Sequence, residues 1–207
     1  PVHLRLSIRA LPHEFRRYLV GVAIAGLGDF SNTLLILWAT EALTPRFGTH
    51  QAAIVAMVLY VGYNVVYTIS CYVSGILADR FPKNRVLAIG YSVAVIPALA
   101  LIAPGDSLAK FALVFAFSGL YMGVWETLEN ATAATLLPPE VRGVGFGVLA
   151  TVKGLGDFLS STAVGVLWVV SPSLAMSFVI VTSLVGAAII ARTHSELRSA
   201  TKPRSRP

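Results

Sequence analysis

Residues Gly119 to Gly165 read GLYMGVWETLENATAATLLPPEVRGVGFGVLATVKGLGDFLSSTAVG. Two apolar stretches flank the turn Pro138-Pro139-Glu140-Val141-Arg142, a pattern that predicts a helical hairpin. Glu126 and Glu129 lie on its incoming limb, Lys153 and Asp157 on the outgoing one. Counted from the turn, they fall about 8–14 residues into a limb, or roughly 12–21 Å along a helix. A bilayer's hydrocarbon core is about 30 Å thick, so these groups would sit near its middle. Charge is costly at that depth, and its presence there points to a functional site. The hairpin is therefore expected to line a pathway across the membrane.

The composition agrees. Of 207 residues, 56% are apolar and 13% charged, with a mean hydropathy of +0.74. A soluble domain carries about 25% charged residues. Long apolar runs recur along the whole chain, so the predicted fold class is all-α, a polytopic membrane protein. The alternating strands of a porin-type barrel are absent from the sequence. The net charge of +6 comes from Lys and Arg in short loops and tails, which argues for membrane topology rather than nucleic-acid binding. Cys71 is the only cysteine and lies in an apolar run, so neither a disulfide framework nor a metal site is expected. No cleavable signal peptide is read at the start, and the opening Pro1 suggests a segment of a longer protein.

Six spans are predicted, at about 18–43, 52–77, 86–103, 109–137, 143–170 and 174–192. Residues 1–17 form a basic lead-in, either a short interfacial helix or a solvated tail, and 193–207 a basic tail. Their order of lengths, long, long, short and again long, long, short, fits a duplicated three-helix unit. Basic residues set the orientation. Arg5, Arg9, Arg16, Arg17, Arg80, Lys83, Arg85, Arg142, Arg192, Arg198, Lys202, Arg204 and Arg206 fall on one side, against Arg46 and Lys110 on the other. Both termini are therefore expected on the cytoplasmic side.

The loop between the second and third spans reads Gly75-Ile-Leu-Ala-Asp79-Arg80-Phe-Pro-Lys83-Asn-Arg85. It resembles the signature G-x-L-A-D-R-x-G-R-R/K of the major facilitator superfamily. Gly75, Leu77, Ala78, Asp79, Arg80 and Lys83 match; Pro82 stands where glycine is usual and Asn84 where a basic residue is. Proline fixes φ near −65° and cannot take the positive φ open to glycine, so the turn must differ in detail. The resemblance implies a gating role for Gly75, Asp79, Arg80, Lys83 and Arg85. A purely topogenic basic loop is the other reading of these residues. Pro138, Glu140, Arg142 and Gly143 also look like this family's P-x-x-R-G turn. Similar stretches run through the chain, namely LPHEF, GDFSNTLLIL, YMGVWETLE and VGVLW. Together they cover about one six-helix half of a twelve-helix transporter, the carboxy-terminal one. In such members a basic residue is expected at the place of Asn130 and a neutral one at that of Lys153. Here the cation would have moved to the facing helix.

Polar residues gather on the long spans. Asp29, Asn32, Thr33 and Thr40 share a helical face, as do Tyr60, Asn64, Tyr67, Thr68 and Cys71. Glu126, Glu129 and Asn130 share another, and Lys153 and Asp157 lie four residues apart. These residues are expected to meet at one depth around a shared cavity. Four carboxylates facing one lysine would repel each other, which should keep at least one protonated near neutrality. Glu126, Glu129 or Asp29 is the expected carrier of a coupled proton, with Lys153 as counter-charge. A static structural network is the alternative.

The resulting expectation is a non-enzymatic secondary transporter half that works by alternating access. It would be driven by a proton gradient, with no bound cofactor, and would move a small organic molecule, with export one direction. Its expected partners are the bilayer of a bacterial inner (plasma) membrane and a second six-helix half, upstream in the same chain or supplied by dimerisation. A non-transporting sensor, a scaffold or an inactive truncated half is the rival reading.

Overall fold

The computed structural model describes residues 11–29 and 31–193. Among these there are helices and no strand. We number them α1 (His13–Gly26), α2 (Asn32–Phe47), α3 (Thr49–Arg80), α4 (Lys83–Val93), α5 (Val95–Ile102), α6 (Leu108–Leu136), α7 (Arg142–Val170) and α8 (Pro172–Ala191). A helix satisfies its own backbone groups, the requirement lipid imposes on any spanning segment. Among the described residues, four segments are long and apolar enough to cross a membrane: Thr49–Arg80, Lys83–Ile102, Leu108–Leu136 and Pro172–Ala191. α7 has the length but is made less apolar by Lys153 and Asp157. The first predicted span is divided into α1 and α2.

That division is the main departure from the sequence-based expectation of a continuous span over 18–43. The chain leaves helical geometry between Gly26 and Asn32, and Ser31 Oγ caps the new helix by accepting from Thr33 N at 3.2 Å. The first helix also starts earlier, at His13, with Phe15 and Tyr18 fully buried, so part of the expected lead-in belongs to the bundle. The rest of the lead-in, and the tail beyond Thr193, lie outside the described residues. The third segment bends at Ala94, between α4 and α5. Gly48, at φ 76°, makes the tight connection from α2 to α3.

Close approaches fix the packing. α1 runs antiparallel to α8, with Gly21 against Ile190 and Gly28 against Thr182. α3 and α6 run parallel and nearly touch: a Cβ at Gly119 would lie 2.5 Å from the Tyr63 carbonyl oxygen, and one at Gly123 2.7 Å from that of Tyr67. α4 packs on α6 and α8, while α7 packs on α1 and α8. One core cluster, around Phe15, Tyr18, Tyr91, Leu128 and Leu149, fills the end where α1 begins. A second, around Leu35, Leu43, Phe111, Phe115 and Met176, fills the other.

α3 and α7 each keep one uncovered face. On α3 it carries Ile54, Val58, Val61, Val65, Ile69 and Tyr72, all exposed. On α7 it carries Gly143, Gly147 and Gly154, where a Cβ would meet nothing within 4 Å.

Candidate functional site

A cavity of about 430 Å³ opens at the level where the first segment breaks and the third bends. The break supplies Gly28, Asp29, Ser31 and Asn32; the bend supplies Ala94 and Pro97. Tyr63 comes from α3, Ser118 and Tyr121 from α6, and Asp157 and Ser161 from α7. A broken helix places side chains and backbone ends inside a bundle where a continuous helix would present only its wall. Asn32 Nδ2 donates to the Tyr63 hydroxyl at 3.1 Å, joining the break to α3. Two carboxylates thus line one cavity, and no lysine, arginine or histidine is among its described lining residues.

Glu129 is elsewhere. It is fully buried, and its Oε2 lies 2.5 Å from Lys153 Nζ. The ammonium also sits over the Trp125 ring, 4.7 Å from its centroid, a cation–π contact. The Tyr91 hydroxyl reaches Glu129 Oε1 at 3.4 Å. The Tyr18 hydroxyl donates to the Glu129 backbone carbonyl at 2.8 Å, tying α1 to α6. Tyr18→Phe should cost about 1 kcal/mol by removing this buried bond, measurable as lowered thermal stability in detergent.

Glu126 forms a third environment. It is exposed on the uncovered side of the bundle, where the Tyr67 hydroxyl donates to its Oε2. Tyr67 stacks with Tyr63, and Tyr63 with Tyr60 at a ring separation of 5.3 Å. Asn64 is exposed and spends its amide on the Tyr60 carbonyl at 2.7 Å; Asn130 is exposed. The polar residues of the long segments therefore separate into a cavity, a buried ion pair and an open face.

Sequence reasoning missed Tyr63, Ser118, Tyr121 and Ser161 at the cavity. Two of them carried a signal: Tyr63 is one turn from both Tyr60 and Tyr67, and Ser161 is one turn beyond Asp157. Nothing in the sequence pointed to Tyr18, whose partner is a backbone carbonyl 111 residues away.

The loop residues lie at the end of the bundle where α1 begins. α3 ends at Arg80, Phe81 is extended with φ −119°, and α4 starts directly after Pro82. Asp79 and Arg80 are exposed, and Gly75 faces open space rather than another helix. At the second turn Pro139–Val141 forms a single 3-10 turn with Glu140 exposed. Arg142 Nη2 approaches the Ala134 carbonyl at 3.4 Å, next to Pro138 and Gly143.

Comparison with known proteins gives two findings. The family model described as Major Facilitator Superfamily matches residues 6–161. A protein of Methanocaldococcus jannaschii, described as an uncharacterized MFS-type transporter, is 29% identical over 189 residues, 91% of this chain and 47% of that protein. The chain thus spans about half the length of the curated relative it matches. No solved structure matches.

Proposed function

Since the chain belongs to the major facilitator superfamily, we propose that it forms one six-span half of a secondary transporter. The half lies in the plasma membrane with its basic end cytoplasmic. It moves a small organic solute by rocking against a second half, which docks on the uncovered faces of α3 and α7. That second half is a preceding part of the same protein or a second copy. Proton coupling runs through the cavity carboxylates Asp29 and Asp157. The observation that carries this reading is the cavity itself, lined by two carboxylates with no basic side chain among its described lining residues. Lys153, one turn from Asp157, is held against Glu129 and does not line the cavity. Exchange of a proton for a positively charged group of the solute at these carboxylates couples the two flows.

The test is solute-evoked proton movement in vesicles containing the complete protein, followed with an internal pH dye across a panel of small amines, sugars and carboxylates. Asp157→Asn and Asp29→Asn should abolish the movement while the protein still inserts and folds. Full proton movement in both variants would refute coupling through the cavity.

A further inference from the structure

A second pocket, of about 320 Å³, lies between the start of α4, the last turns of α6 and the end of α8. Pro82 precedes α4 and carries no capping side chain; the Arg85 and Val86 amides bond back to the Pro82 carbonyl at 2.9 and 3.2 Å, which leaves the Lys83 and Asn84 amides without the partner that an N-cap serine or aspartate would supply. Those amides make the start of a helix attractive to anions. Lys83 and Arg85 line the same pocket, and neither forms an ion pair with a described residue. Asn84 Nδ2 donates to the Thr193 carbonyl at 2.7 Å, clamping the start of α4 to the end of α8 and occupying an acceptor there. The nearest carboxylate in sequence, Asp79, is exposed one position beyond the lining residue Ala78.

The decisive group is Thr132. It lines the pocket, is 2% exposed, and its Oγ1 has no hydrogen-bond partner. A threonine inside a helix can donate to the carbonyl one turn back, and Thr40, Thr44, Thr68, Thr151, Thr162 and Thr182 all do so. Thr132 is left without that bond, although a buried polar group ordinarily has a partner. Thr132 is therefore a buried, unpartnered hydroxyl in the wall of the pocket that Lys83, Asn84 and Arg85 also line.

We propose that this pocket binds a phosphate-type oxyanion through the Lys83 and Asn84 amides, the Lys83 and Arg85 side chains and the Thr132 hydroxyl. Two sources have this chemistry, the headgroup of an anionic phospholipid and a soluble phosphate. The pocket sits at the basic end of the bundle, where an anionic leaflet would meet it.

The test uses the complete protein in detergent micelles doped with phosphatidylglycerol or phosphatidylcholine, and separately with inorganic phosphate. Lipid retention is read by native mass spectrometry, and phosphate binding by the shift in thermal unfolding. Lys83→Gln and the charge-neutral Thr132→Val are compared with Arg46→Gln, which removes a cation at the opposite end. Each pocket variant should weaken binding about tenfold, the scale of one hydrogen bond to a charged group, and Arg46→Gln should not. Loss of phosphatidylglycerol retention identifies a lipid headgroup. The same variant dependence for phosphate, without preference between the lipids, identifies a soluble anion. If Lys83→Gln and Arg46→Gln weaken binding equally while Thr132→Val does nothing, only diffuse surface charge is at work and the proposal fails. It fails equally if no variant changes binding.

Discussion

Lys153→Met should lower stability by about 3–5 kcal/mol, because it leaves the fully buried Glu129 carboxylate without its cation. The expected readout is a large drop in the detergent unfolding temperature, or failure to accumulate in the membrane. The companion variant carries both Lys153→Met and Glu129→Gln. It should recover most of the loss, since removing both charges of a buried pair is often close to neutral. A double variant as unstable as the single one would mean that the ion pair is not what the lysine supplies. The same pair of proteins separates two views of coupling. If the cavity carboxylates carry the proton, the stable double variant still transports. If Glu129 does, it folds and is silent.

Gly123→Leu should separate α3 from α6 and prevent a stable fold. A Cβ at Gly123 would lie 2.6 Å from Ser70 Cβ and 2.7 Å from the Tyr67 carbonyl, and a backbone oxygen cannot move aside as a side-chain tip can. Overpacking of this kind costs about 1–3 kcal/mol or more, and here it also disrupts the Ser70 hydroxyl bond to the Leu120 carbonyl. Monodispersity on size exclusion in detergent is the measure, and a monodisperse, normally stable variant would contradict the close crossing. Gly147→Leu is the informative contrast. A Cβ there meets nothing within 4 Å, so the bundle should tolerate it, while the proposed docking of a second half on that face should not. Retained stability with lost transport in the complete protein is the expected combination.

The sequence made the membrane class legible because a run of apolar residues of sufficient length has few other uses. The helical limbs of the opening hairpin were readable for the same reason, and α6 and α7 end close to their predicted limits. The break after Gly26 was not readable as a break. Gly26, Gly28, Asp29 and Ser31 are weak helix formers, but apolar neighbours on both sides hide them from a hydropathy window. What allows the break is tertiary: Gly28 lies against Thr182 and Val179 of α8, and Asn32 bonds to Tyr63.

The candidate site was partly legible in the same way. Ionisable residues inside apolar runs could be singled out, but their partners could not. Asp157 and Lys153 are one turn apart on α7, yet Asp157 lines the cavity while Lys153 turns to Glu129. Helical spacing places residues on a face and leaves open which neighbour that face meets.

The bond between Glu129 and Lys153 also bears on how the chain enters the bilayer. A single charge at the centre of a helix costs about 2.5–3.5 kcal/mol on insertion, and α6 brings a buried glutamate while α7 brings a lysine. Only the short stretch from Leu137 to Val141 separates the two helices. Glu129 and Lys153 neutralise each other only when both helices are present, so the favourable route into lipid for this pair of charges is for the two to insert together as one hairpin, already paired.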